Sequence, residues 1–191
     1  MSSAGAAATR RLFFALWPDE AQRRALERAS EKAVRHCGGR PVPSSNLHVT
    51  LAFLGSVAVA RIPELQQIAR SQAGILAGHT PLELVYDRLV HWQEAQVLCA
   101  LSAAEPATAR RLATALQHAT AACGFSPDRK PFQAHVTLAR KVVHPPRLPR
   151  LRSIVWRFEA YSLVDSRTER NGALYSVLES YPLGAVDKAH D

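Results

Sequence analysis

The pentapeptide His-Val-Thr-Leu-Ala occurs twice, at 48–52 and at 135–139. No other feature constrains the fold of this chain as much. A histidine and a threonine two residues apart, flanked by apolar residues, describe one face of a β-strand, because strand side chains alternate with a period of two. With eight histidines and eight threonines in 191 residues, chance supplies only roughly a third of one His-x-Thr. Two identical pentapeptides therefore read as a duplication. The match extends upstream. Cys37-Gly38 precedes His48 across a loop holding Pro41 and Pro43, and Cys123-Gly124 precedes His135 across a loop holding Pro127 and Pro131. The repeated unit is helix, loop and strand.

The remaining segments fit around the two copies. Arg11–Trp17 is an apolar run suited to a buried strand. Pro18-Asp19-Glu20 opens a helix, with proline in the first turn and acids at the positive end of the helix dipole. Ala21, Ala25, Ala29 and Ala33, with Leu26 and Val34, give it an apolar stripe, and Gly38-Gly39 ends it. Leu47–Leu54 is the first motif strand, a helix follows over about 62–77, and Leu82–Trp92 and Gln96–Leu101 are strands. A helix over about 105–123 places Leu112, Leu116, Ala119 and Cys123 on one face, and Phe132–Arg140 is the second motif strand. Beyond the proline-rich loop His144–Pro149, Ser153–Val164 and Ala173–Tyr181 are the last strands, joined by a polar turn around Arg167–Gly172. The pattern predicts an α+β fold with two similar lobes, pseudo-two-fold, with both motif strands facing a common cleft. One domain covers 10–183, between short tails at 1–9 and 184–191.

Composition narrows the setting. Three widely spaced cysteines, Cys37, Cys99 and Cys123, form no C-x-x-C motif. They suit a reducing cytoplasm, with all three as small buried apolar residues. Ala6–Ala8 stand before Arg10-Arg11, the wrong order for a secretory signal, and no apolar run is long enough to cross a bilayer. The formal charge of +8 attracts a polyanion such as RNA, or is a solvated basic surface.

Two imidazoles and two hydroxyls on facing strands suit a cyclic phosphodiester. One histidine deprotonates water on one side of phosphorus, and the other protonates the leaving ribose oxygen. The hydroxyls of Thr50 and Thr137 donate to non-bridging oxygens where charge builds. A lone histidine on a strand is ordinarily a packed residue; duplication reverses that expectation for His48 and His135. The other six histidines have no second histidine or carboxylate at metal-ligand spacing. The chain has no G-x-G-x-x-G, Walker A or G-x-S-x-G pattern. The chemistry calls for no metal and no cofactor.

The two HVTL segments resemble the paired His-x-Thr/Ser-x motifs that define the 2H phosphoesterase superfamily. Within it, RLFFALWP at 11–18, RPVPSSNLHVTLAFLG at 40–55 and RKPFQAHVTLAR at 129–140 look most like the bacterial RNA 2′,3′-cyclic phosphodiesterases, historically called 2′-5′ RNA ligases. The resemblance implies a bilobal fold with antiparallel sheets around a central cleft. It implies hydrolysis of a 2′,3′-cyclic phosphate to a 2′-phosphomonoester, with His48 as proton donor and His135 as proton acceptor. It also implies a substrate-binding basic residue after the second motif and an aromatic after the first, which Arg140 and Phe53 match. Both stand five residues after their histidine, on the opposite face of a regular strand. They reach the cleft only where the strand ends, twists or bulges.

The expected partner is RNA with a 2′,3′-cyclic phosphate end, or a cyclic nucleotide, bound by a monomer with no obligate protein partner. Arg140, Lys141, Arg147, Arg150, Arg152 and Arg157 form a basic stretch suited to phosphates beyond the reacting one. Alternatives are a phosphodiesterase for a small cyclic nucleotide, a hydrolase or ligase of 2′-5′ linkages, and a non-catalytic RNA-end-binding module. Paired histidines argue against the last, since pure binding is better served by Arg or Lys.

Overall fold

Strand β1 (Thr9–Leu16), the expected apolar run, lies inside the first of two antiparallel sheets in the computed structural model of the chain. The structure describes residues 8–76, 81–102, 107–128, 130–144, 146–169 and 172–183. The first sheet also holds β3 (Val49–Ala58), β8 (Ala160–Glu169) and β9 (Gly172–Pro182), in the order β3-β1-β8-β9. The second holds β2 (Arg40–Pro41), β4 (Leu82–Trp92), β5 (Val97–Ser102), β6 (His135–Arg140) and β7 (Ile154–Phe158), in the order β2-β6-β5-β4-β7. Each sheet carries one copy of the motif, on β3 and on β6. The α+β, bilobal architecture with antiparallel sheets is the one expected.

Among the described residues three α-helices cover the sheets. Helix α1 (Glu20–His36) opens on a capping box: Asp19 accepts from the Gln22 amide at 2.7 Å and its own amide donates to the Gln22 side chain at 3.1 Å. Leu26, Ser30 and Ala33 form its buried line. It packs against β6 and β7, where Trp156 Nε1 donates to the Gln22 carbonyl at 2.9 Å. Helices α2 (Ile62–Gln72) and α3 (Ala107–Ala122) pack on each other; α3 lies on β3, and α2 reaches β9. The helix of each repeat thus sits in the lobe opposite its own motif strand. A repeat unit is not a lobe; the two units exchange helices across the molecule.

Several sequence readings need correction. Ser153–Val164 is two strands, not one. Trp156 and Phe158 are buried on one register and Tyr161 and Leu163 on the other, and the slip at Glu159 marks the crossing from the second sheet to the first. Cys123 is exposed, whereas Cys37 and Cys99 are buried. The buried line of α3 runs through Ala109, Leu112, Ala113, Leu116 and Thr120 and stops short of Cys123. Thr120 is tolerated there because its hydroxyl donates to the Leu116 carbonyl. Finally, Thr9, assigned to the N-terminal tail, begins β1. The expected turn Arg167–Gly172 is shorter, because Arg167–Glu169 end β8 and Gly172 begins β9; residues 170–171, the remainder of the expected tails at 1–7 and 184–191 and the loop at His79 lie outside the described residues. Among the described residues no helix is long and apolar enough to cross a membrane.

Candidate active site

Both motif strands break their alternation at the same residue. On β1, Phe14 faces Ala52 and Ala15 faces Thr50, so Leu51 is an extra residue in β3. On β5, Leu98 faces Ala139 and Cys99 faces Thr137, so Leu138 is an extra residue in β6. Each motif therefore contains a β-bulge at its leucine, and the strand changes face there. This accounts for the five-residue spacing. Phe53 and Arg140, on the wrong face of a regular strand, return to the face of Thr50 and Thr137. The bulge carbonyl of Leu138 is satisfied by the Val42 amide at 2.8 Å. One cavity of about 530 Å³ is lined by His48, Thr50, Phe53, His135, Thr137 and Arg140, so the structure brings together all six residues singled out in the sequence.

The imidazoles are held by one device used twice. His48 Nδ1 donates to the carbonyl of Asn46 at 2.7 Å, and His135 Nδ1 donates to the carbonyl of Gln133 at 2.8 Å. A carbonyl only accepts, so the proton resides on Nδ1 in the neutral ring and Nε2 is left as an acceptor. His48 Nε2 lies 3.2 Å from Thr50 Oγ1. The anchors went unremarked in the sequence, although the repeat extends to them: an amide residue stands two positions before each histidine. Asn46 is itself fixed, its Nδ2 donating to the Ala173 carbonyl at 2.7 Å. The aromatic surroundings were also missed. His48 stacks on Trp17 at 5.4 Å between centroids and packs against Phe13 at 4.9 Å and edge-on to Tyr175 at 5.2 Å. His135 meets Trp92 edge-on at 4.6 Å.

A family model described as LigT like Phosphoesterase matches residues 16–98 and 101–175. The chain belongs to the LigT-like phosphoesterase family. It is 33% identical over 183 residues, 91% of this chain and 90% of the relative, to a Thermus thermophilus protein named RNA 2′,3′-cyclic phosphodiesterase. Its fold superposes with a TM-score of 0.82 on E. coli LigT complexed with 3′-AMP, at 26% identity over 93% of this chain and all of that one. With the TT0787 protein of Thermus thermophilus the TM-score is 0.78, at 30% identity over 91% of this chain and 98% of that one.

In this LigT-like cavity the electrostatics oppose a resting positive charge. Burial is the main cause that lowers the His48 pKa, to about 4; the Asn46 carbonyl counteracts it, and Arg140, His135 and Arg23 add to it. His135 is lowered mainly by burial and further by Arg140, with the Gln133 carbonyl counteracting. Burial also pushes the Cys99 thiol, behind Thr137, up to about 12, so it stays a neutral packing group. Among the described residues no carboxylate lies within 4 Å of the Arg140 guanidinium, and no group of three His, Cys, Asp or Glu side chains is placed to hold a metal ion. Lys130, which the sequence reading passed over, also lines the cavity. Of the basic stretch only Arg140 does. Arg147, Arg150 and Arg152 are absent from its walls, and Arg157 on β7 is paired with Glu83 at 2.6 Å.

Proposed function

We propose that the protein hydrolyses RNA 2′,3′-cyclic phosphodiester ends to 2′-phosphomonoesters by acid–base catalysis between His48 and His135, without a metal. The observation that carries this reading is the duplicated anchor. Two histidines on facing strands each have Nδ1 tied to a backbone carbonyl, which leaves Nε2 as the ring nitrogen not held by the backbone, and both line one cavity with a threonine apiece.

The proton roles follow the family resemblance. His135 Nε2 takes a proton from water as the water oxygen bonds to phosphorus. The bond from phosphorus to O3′ breaks, and His48 Nε2 gives its proton to O3′. His48 ends neutral and His135 protonated, and exchange with solvent restores the starting state. Thr50 and Thr137 donate to the non-bridging oxygens, and Arg140 offsets their charge. The depressed pKa of His48 fits this role once substrate is present. Burial is the main cause of that depression, and an anionic phosphate bound beside the ring favours its protonated form. The nucleotide complex of the E. coli relative and the name of the Thermus relative support a nucleotide phosphodiester as substrate.

The decisive assay incubates chelator-treated protein with an oligoribonucleotide ending in a 2′,3′-cyclic phosphate and identifies the product isomer. A 2′-phosphate is expected. A 3′-phosphate, or no turnover, would overturn the proposal.

A further inference from the structure

The cleft face of the first sheet carries a polar row beyond the reacting groups. Arg11 on β1 stands directly opposite Ser56 of β3 and Ser166 of β8, and directly opposed residues point to the same side of a sheet. Two residues along β1, and so on the same face, is Phe13, whose ring packs on His48. Phe13 in turn faces Phe53 and Val164, and Val164 faces Val177 on β9. A further extra residue in β3, Leu54, separates Phe53 from Gly55 and keeps Phe53 and Ser56 on one face. The floor of the cleft therefore changes character about 7 Å along the strand from Phe13. An apolar row lies beside His48, and a hydrogen-bonding row, Ser56–Arg11–Ser166, lies next to it.

Neighbouring arginines differ in what they do here. Arg10 and Arg167 share the buried carboxylate of Asp165, at 3.7 Å and 3.2 Å. Arg11 has no carboxylate within 4 Å among the described residues. Its guanidinium lies 4.9 Å from the centroid of the Phe53 ring, a contact that holds the cation without neutralising it. A depression of about 470 Å³ opens at this point, its lining including Arg11, Ser56 and Ser166 together with Arg10, Asp165 and Arg167. By the same alternation Arg10, Asp165 and Arg167 belong to the opposite face of the sheet, so on the cleft side the cation of Arg11 stands between two serine hydroxyls.

We infer that Ser56, Arg11 and Ser166 form a second phosphate subsite, for the phosphodiester that joins the terminal nucleotide of an RNA to the rest of the strand. The inference rests on the proposed function for the identity of the strand. The apolar row spans the nucleotide between the two phosphates. Arg11 thereby takes the part that the sequence pattern suggested for Arg147, Arg150 and Arg152.

The test measures binding rather than turnover. The probes are an oligoribonucleotide ending in a 2′-phosphate and a nucleoside 2′-monophosphate lacking a 5′-phosphate, each titrated over a range of salt by calorimetry. Arg11→Gln should weaken the oligonucleotide about tenfold and reduce its salt slope by about 0.7, the loss of one contact to a single strand. It should leave the mononucleotide within about twofold, since that probe does not reach the subsite. Arg11→Lys should keep the slope. The triple substitution Arg147→Gln, Arg150→Gln, Arg152→Gln should change neither probe. Equal weakening of both probes by Arg11→Gln would overturn the subsite and leave Arg11 as a support for Phe53. A slope lost in the triple variant and kept in Arg11→Gln would overturn it in favour of the outer arginines. Absent turnover of a cyclic phosphate refutes the proposed function and leaves these binding results readable.

Discussion

The two motif strands carry the same five residues, the same bulge and the same histidine anchor, yet they make different environments. His48 is enclosed by Phe13, Trp17 and Tyr175 and contacts Thr50. His135 has Trp92 against one edge and is more open to solvent. The difference teaches a division of labour. The repeated segment fixes where Nε2 is, through the backbone. The unrepeated neighbours fix how readily it holds a proton. One strand can thus be duplicated and its copies given different environments, as the proposed opposite roles require, without changing a residue in either.

The largest test of that pairing is removal of either ring. His48→Ala and His135→Ala should each lower the rate of cyclic phosphate opening by roughly 10²–10⁴, the scale for a positioned acid or base. The double variant should lose far less than the product, because the pair works as a unit; multiplicative losses in single-turnover rates would break the pairing. Thr50→Val and Thr137→Val should each cost about 10² in kcat, near the lower bound for one donor at a developing oxyanion. Near-normal kcat in either variant would show that the equivalence of the two threonines ends at the sequence.

The contrast between the rings is sharpened by pH. Both pKa values are lowered from the usual imidazole value of 6.5. The profile of kcat/KM, which reports the free enzyme, should therefore be a bell with both limbs below about 6.5, belonging to the coupled pair. Trp17→Ala should admit water to His48 and raise its titration, followed by NMR, from about 4 toward 6.5. Trp92→Ala should move His135 less. An unchanged His48 titration in Trp17→Ala would remove burial as the source of the asymmetry.

A smaller effect appears in stability. The unfolded chain takes up protons at these rings near pH 6.5, and the folded chain does so only at lower pH. The unfolded state binds more protons in that window, so stability rises with pH through it and is lost as pH falls below 6.5. His48→Gln should flatten this dependence in urea titrations at pH 5 and pH 7; a slope equal to wild type would contradict it. The smallest expected change is that on chelation: activity measured before and after EDTA treatment should agree. Loss restored by a divalent ion would replace the two-histidine scheme altogether.

Much of this was legible in the sequence because it is local. Alternation over RLFFALW, the capping residues of α1 and the His-x-Thr pairs each follow from a few adjacent residues. The bulges did not show. Leu51 and Leu138 look like ordinary strand residues, and only the partner strands β1 and β5 reveal that one residue is unopposed. Trp17, Tyr175 and Trp92 are far apart along the chain, so their convergence on the histidines depends on which strands pair. The break at Glu159 was hidden because both halves of 153–164 favour strand, and the sheet each joins is decided by long-range pairing. Phe53 and Arg140 entered through family resemblance against the local geometry, and the bulges supply the physical reason for them.

The exchange of helices between the repeats has a consequence for cooperativity. Strand β3 depends on α3 for cover, and β6 depends on α1. Loss of either repeat strips apolar surface in both lobes, so neither half can melt by itself as a separate foldon. Reaction at a cyclic ester needs a donor and an acceptor in the same instant. Under the proposed mechanism, a chain that unfolds as one unit has no form in which one histidine works without the other.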